Sequence, residues 1–191
     1  MKNLKMSMAA MLLLTVSFTN AQEKEKMSHE HGDMKMDHST MKMNKVNNPK
    51  AEAVLADYFM LKDALVGDDS KKAAQAGTKL MASLKAFEIT SYNKEDQKEL
   101  ADIIEDATEQ AEHISESPIA HQREHFKQLS IDITDMVAIT GTKNTLYEQF
   151  CSMADNGEGA YWLSLSKEIQ NPYLGKAMPT CGEVKSIINI P

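Results

Sequence analysis

Between Pro49 and Val66 the apolar residues Val54, Leu55, Tyr58, Leu61 and Leu65 recur at steps of three and four, the period of an amphipathic helix. Asn48 stands in capping position and Pro49 fits the first turn, where a missing N–H costs no hydrogen bond. Gly67-Asp-Asp-Ser interrupts the pattern, with Asp69 or Ser70 placed to cap the next helix. A second stripe, Ala73, Ala76, Leu80, Leu84 and Phe87, predicts a helical hairpin with the first. Ser91 to Lys94 read as a turn, and Leu100, Ile103, Ile104, Ala107, Ala111 and Ile114 then form a third apolar face opposite many carboxylates. Ser117-Pro118 opens a fourth helix, with Pro118 at its first position and Ile119, Phe126, Leu129, Ile133, Met136 and Val137 on the buried side as far as Gly141. Four helices of about 20 residues each predict an antiparallel bundle.

Beyond Gly141 the pattern changes. Thr142 to Met153 is compatible with a short helix, but Gly157, Gly159, Pro172, Gly175, Pro179 and Gly182 interrupt the remainder. The density of large side chains there, Tyr161, Trp162, Leu163 and Tyr173, predicts a structured segment wrapped on the bundle. The expected fold class is therefore all-α: an antiparallel four-helix bundle with an irregular Cys/Met-containing C-terminal segment packed on it. No tandem repeat of 20 to 50 residues is visible.

The other end of the chain has no core-forming pattern. Lys2 and Lys5 precede an apolar run from Met6 to Phe18, and Thr19-Asn20-Ala21 supplies the small residues that a signal peptidase reads. The run is about 13 residues, short of the about 20 that cross a bilayer. Residues 1–21 are thus expected to be a secretory signal cleaved after Ala21, without a cysteine for a lipid anchor, so that the protein reaches the periplasm with no membrane insertion. Gln22 to Asn48 contains no Leu, Ile or Phe and a single Val, and is read as a disordered arm. The folded domain is expected over 49–191.

Composition sharpens this picture. The 28 acidic residues outnumber the 21 basic ones, and losing Lys2 and Lys5 with the leader widens the gap, which argues against nucleic acid as a partner. Fourteen methionines and six histidines are more than packing explains, and most lie outside the predicted core. The arm carries Met27, His29, His31, Met34, Met36, His38, Met41 and Met43 in a low-complexity run. Thioether sulfur and imidazole nitrogen are soft or borderline donors, so this alternation suits Cu(I) or Ag(I), with Cu(II) acceptable at the histidines, and disfavours calcium and magnesium. The bland alternative is a solubilising linker.

Two short sulfur pairs lie in the tail, Cys151-x-Met153 and Met178-x-x-Cys181, and a wrapped tail would let them meet His125 or His121 of the fourth helix. Two thiolates and two thioethers suit Cu(I). Two cysteines in an exported protein equally suit a disulfide, closing a loop of about 30 residues and worth about 3 kcal/mol. The same pair would also serve as a switch, binding metal when reduced and bridging when oxidised. His121 and His125 are four apart on one helix face, a spacing that lets two imidazoles share an ion; a solvated role is the alternative. His113, near Glu109 and Glu112, reads as isolated and solvated. No Gly-x-Ser-x-Gly, Gly-x-Gly-x-x-Gly, Walker loop, His-Glu-x-x-His or Cys-x-x-Cys-His is present, so no catalytic role is expected.

The tail carries Cys151-Ser-Met153 followed by Ala160-Tyr-Trp162-Leu163-Ser164, and Asn171-Pro-Tyr173-Leu-Gly175-Lys-Ala-Met178-Pro-Thr-Cys181-Gly182. These motifs resemble an exported domain family of unknown function, which also occurs appended to periplasmic adaptor subunits of CusB-type copper/silver efflux pumps. The resemblance runs over about Pro49 to Ile190 and includes Arg123 to Ser130 on the fourth helix. It implies Cys151, Met153, Met178 and Cys181 as ligands, with His125 the weaker carry-over. The chain departs from the family pattern at Ser152, where proline is usual, and at Leu174, where an aromatic is usual; neither change removes a ligand.

The expected function is capture and passage of Cu(I) or Ag(I) in copper homeostasis or heavy-metal efflux, with an efflux adaptor as partner. One rival is a disulfide-stapled interaction module of the cell envelope, with the arm as spacer. Another is a copper oxidase or a redox protein with non-covalent haem, which would require a coloured or paramagnetic centre.

Overall fold

Three of the four helices begin where a side chain satisfies their free N–H groups. The computed structural model of the protein describes residues 48–188. The leader over 1–21 and the arm residues Met27, His29, His31, Met34, Met36, His38, Met41 and Met43 lie outside the described residues. Helix α1 runs Pro49–Val66, with Asn48 Oδ1 accepting from the Lys50 N–H at 2.9 Å. Helix α2 runs Ser70–Lys85, its first turn closed by Asp69 Oδ1 on the Lys72 N–H at 2.9 Å. Helix α3 runs Lys94–Glu116, and Asn93 Oδ1 accepts from Glu95 and Asp96 N–H at 3.0 Å each. Helix α4 runs Ile119–Thr140 and ends at Gly141, whose φ of 70° a side chain would resist. Pro118 stands one residue before α4, the extended position that a proline also tolerates.

The predicted stripes form one core. Val54, Tyr58, Leu61, Leu65, Leu80, Leu84, Leu100, Ala107, Ala111, Ile114, Phe126, Leu129 and Ile133 are all buried, whereas Ile103, Ile104 and Ile119 are only partly covered. Sequential helices pack on one another, and α2 approaches α3 so closely that a Cβ at Gly77 would stand 3.0 Å from the Ala111 carbonyl. Buried Gln122 adds a polar pin, its amide donating to the Ser70 and Ile114 carbonyls at 3.0 Å each.

The segment after Gly141 holds three strands and two single 3-10 turns, Asp155–Gly157 and Gly175–Ala177, which corrects the all-α expectation. Strands β1 (Leu146–Cys151), β2 (Ala160–Ser164) and β3 (Glu183–Ile188) form an antiparallel sheet in the order β2-β1-β3. Leu146, Phe150 and Met153 recur at steps of four and three, which reads as a helix. Pairing on both sides, with β2 and β3, gives a strand instead, and Glu52 holds the turn before it: its carboxylate accepts from Thr142 Oγ1 at 3.0 Å, Lys143 N–H at 2.8 Å and Asn144 Nδ2 at 2.9 Å. A register shift between Glu148 and Gln149 against β3 also breaks simple alternation, so Leu146, Gln149 and Cys151 are buried together.

The sheet packs on α4 through β2, and Tyr58 joins the layers. Its buried hydroxyl accepts from the Leu163 N–H at 3.1 Å and hydrogen-bonds Ser130 Oγ at 2.9 Å. Burial raises the Tyr58 hydroxyl well above its ordinary range, so it stays neutral. Among the described residues no helix is long and apolar enough to cross a membrane.

One buried charge works against this core. Asp132 on α4 is 5% exposed, and its Oδ2 has no hydrogen-bond partner while Oδ1 accepts from Gln128 at 2.9 Å. Burial pushes its carboxyl up to about 6; the Gln128 amide opposes this, and Asp106 and Asp135 add to it. A raised folded-state value means that the folded protein holds the proton more tightly than the unfolded chain. Stability from this group is therefore present at low pH and lost as pH rises through about 6. Asp132→Asn is expected to stabilise the protein by about 1–2 kcal/mol at pH 7.5 and by almost nothing at pH 4, read by urea unfolding at both.

Candidate functional site

The sheet brings the two cysteines together from opposite ends of the tail. Cys151 closes β1 opposite Ala160 of β2, while Phe150 pairs with Glu183 at the start of β3. Cys181 therefore arrives beside Cys151 two residues before β3. The two thiols are close enough to interact, and the Met153 backbone N–H lies near the Cys181 sulfur. Both cysteines are free, Cys151 buried and Cys181 partly covered. The interaction with Cys151, then burial and the neighbouring thiol, push the Cys181 thiol above its ordinary range, against the pull of the Met153 N–H.

Two thioethers lie in the same stretch of chain. Met153 is 54% and Met178 42% exposed, so both side chains reach solvent. The Cys181 N–H donates to the Met178 carbonyl at 3.2 Å, closing the turn that joins the second pair. The two cysteines are thus brought together, with the Met153 backbone beside Cys181 and Met178 one turn from it.

The residues around the sulfurs fix that turn. Asn171 is fully buried: Oδ1 accepts from Tyr173 N–H at 2.8 Å and Leu174 N–H at 2.9 Å, and Nδ2 donates to the Cys181 carbonyl at 2.7 Å. Arg123 on α4 donates to the Pro172 carbonyl at 2.8 Å, to the Leu65 carbonyl at 2.9 Å and to Asp68 at 2.5 Å. This guanidinium first, and then the Lys176 N–H, hold the Asp68 carboxyl below its ordinary range. Gly175, at φ 52°, passes so near that a Cβ would stand 2.0 Å from Asp68 Oδ1. Gly182, at φ 140°, lies against Trp162 and the Phe150 carbonyl, where a Cβ would fall at 2.9 Å from each. Lys127 of α4 pairs with Asp155, anchoring the loop that carries Met153.

The histidines occupy a different face. Arg123, Phe126 and Lys127 of α4 meet the tail, whereas His125 meets α3: its Nδ1 lies 2.7 Å from Gln110 Oε1, and its ring stacks on His113 with centroids 4.5 Å apart. His121 is edge-on to His125 at 4.5 Å between centroids, with 3.0 Å between the two Nε2 atoms. The imidazoles and the sulfurs are therefore two separate groups. Burial, followed by the nearby His113 and His121, lowers the pKa of His125, against the attraction of Glu124 and Glu109. His113 is not isolated, contrary to the expectation from sequence. Gln110 and His125 stand equally far from the Ser117-Pro118 turn, and folding the two helices back at that turn places His113 beside the other two.

Among the described residues no three His, Cys, Asp or Glu side chains form a ready-made metal cage. The neighbouring thiols of Cys151 and Cys181 offer donors suited to a low-coordinate soft ion. Residues 54–145 match the model of a family described as a protein of unknown function, DUF3347. The match covers most of the helical bundle and ends just before β1, so the Cys/Met motifs lie beyond it. No curated protein and no solved structure matches the chain.

Asn171→Ala would leave two N–H groups and the Cys181 carbonyl without partners. It is expected to cost about 2–4 kcal/mol in urea unfolding. It should also speed amide exchange in 171–182 more than in α2 and α3.

Proposed function

We propose that the protein is a periplasmic carrier of Cu(I) or Ag(I), which it captures and passes on in copper homeostasis or heavy-metal efflux. The observation that carries this reading is the proximity of Cys151 and Cys181, with the exposed Met153 and Met178 close to them in the chain. Two thiolates bind a soft d¹⁰ ion strongly, and thioethers that reach solvent offer weaker donors through which it enters and leaves. Ligand exchange between similar sulfur donors needs no catalysis. The Met/His arm serves as the collecting element, and an adaptor subunit of a heavy-metal efflux pump as the acceptor. The leader-like segment over 1–21 and the acidic balance of the chain support export and a cationic cargo.

The same thiol proximity favours a second reading, a Cys151–Cys181 disulfide that staples the tail and leaves the arm as a spacer on an interaction module. Intact-mass spectrometry of the mature protein, prepared anaerobically with Cu(I) and followed by alkylation, separates the two. Copper-bound chains whose two thiols are alkylated only after the metal is stripped are the expected result. A mass two hydrogens lighter that resists alkylation would replace the carrier by the stapled module. Cys151→Ser or Cys181→Ser should weaken Cu(I) in a chelator competition by about 100-fold, or about 2.8 kcal/mol, and His121→Ala should leave it unchanged.

Cu(I) must displace protons from the thiols, and the Cys181 thiol holds its proton more tightly than usual. Retention at the cysteines should therefore fall as pH is lowered from about 7.5 to about 5 in the same competition, while thioether donors of the arm show no such loss.

A further inference from the structure

The facing ends of α3 and α4 hold three imidazoles away from the sulfurs. His121 Nδ1 lies 2.7 Å from Glu124 Oε2, and His125 Nδ1 lies 2.7 Å from Gln110 Oε1. A carboxylate and an amide carbonyl oxygen only accept, so both Nδ1 atoms carry hydrogen. In the neutral rings both Nε2 atoms then present lone pairs, and these two atoms face each other at 3.0 Å. Two lone pairs at that separation repel unless a cation is shared between them. An outer nitrogen bound to a carboxylate or a carbonyl is also the arrangement that orients metal-ligating imidazoles.

The spacing selects a geometry. With metal–nitrogen bonds of about 2.0–2.1 Å, nitrogens 3.0 Å apart subtend about 95° at a common ion. Adjacent corners of a tetragonal ion stand at about 90°, whereas a tetrahedral one opens to about 109°. We propose that His121 and His125 bind a tetragonal divalent ion, Ni(II) or Cu(II), through their Nε2 atoms, at a site separate from the sulfur pair in place and in ligand class. His113 is the third donor. Its ring lies parallel to that of His125, its side chain is half exposed, and Glu109 Oε1 is 3.7 Å from its Nε2. Rotation about its own side-chain bonds carries it to a free corner, and water takes the rest.

Ni(II) is the probe, since it leaves thiols unoxidised. The mature chain carrying His29→Ala, His31→Ala and His38→Ala, which removes the imidazoles of the arm, is titrated by calorimetry. One Ni(II) is expected, weakened at least about 100-fold by His121→Ala or His125→Ala and about tenfold by His113→Ala or Glu124→Gln. Anaerobic Cu(I) binding is expected to stay unchanged in all of them. In the parent chain, Ni(II) should protect His121 and His125 from acylation by diethyl pyrocarbonate, read by peptide mass, a result that needs no substitution at the site. Unchanged Ni(II) affinity in both alanine variants, with no protection, would overturn the site. It would mean that the Gln110 amide is turned round and that His125 Nε2–H donates to His121. Joint loss of Ni(II) and Cu(I) in the same variants would overturn the separation of the two sites. A chain that binds Ni(II) here but no Cu(I) anywhere would sustain this site and sink the sulfur proposal.

Discussion

Arg123 is the point at which the helical part and the tail become one structure. Its guanidinium reaches the end of α1 through the Leu65 carbonyl, the following turn through Asp68, and the tail through the Pro172 carbonyl. Each is a charge-assisted hydrogen bond with a different segment, so no single apolar contact could substitute for it. Asp68 faces both Arg123 and the Lys176 N–H, which leaves room for nothing larger than hydrogen at Gly175. The loop carrying Met178 and Cys181 is therefore braced from outside by a residue of α4 as well as from within by its own Asn171. Asn171 continues the same logic inward, spending its whole side chain on the backbone of that loop.

A sheet of three short strands would be marginal alone. Here β2 lies on α4, and Tyr58 reaches from α1 to the Leu163 backbone, so the bundle supplies the layer that the sheet lacks. The benefit to the sulfurs is positional. Cys151 is held by cross-strand pairing, and Cys181 by the loop that Asn171 and Arg123 brace, so two thiols 30 residues apart meet without a covalent link between them. A site built this way keeps the thiols available for chemistry. A disulfide would use the same geometry and remove that availability.

The four helices are legible in the sequence because each has a periodic apolar stripe, and most have a capping side chain or proline at the start or a breaker at the end, although α2 stops at Lys85, short of the Phe87 that its stripe includes. Asn48, Asp69 and Asn93 cap as their chemistry dictates. The strands are not legible, because Leu146, Phe150 and Met153 fall at helical spacing and the shift at Glu148/Gln149 hides the period of two. The partners of β1 also lie outside any local window: β3 is more than thirty residues on, and Glu52, about ninety residues back, holds the turn before it. The motif glycines illustrate a different limit. Gly175 and Gly182 are visible as residues, but the close approach of Asp68, Arg123 and Trp162 that demands them exists only in three dimensions. The place of His113 is within reach of the sequence, since helices folded back at a short turn bring equidistant residues together, and it is missed only when each helix is read alone.

The two donor groups sit on opposite sides of one helix, and that separation has a chemical consequence. Residues 123, 126 and 127 turn towards the tail, while 121 and 125 turn towards α3, as the helical period requires. Thiols brought near an ion that cycles between oxidation states would be consumed by it, one electron passing from each sulfur until a disulfide forms. On the two proposals taken together, imidazoles for a divalent ion and sulfurs for a monovalent one would stand on separate faces of α4, which would avoid that reaction. The packing of α4 between α3 and the sheet is thereby itself part of the proposed chemistry, because rotating the helix by half a turn would bring the two ligand sets together.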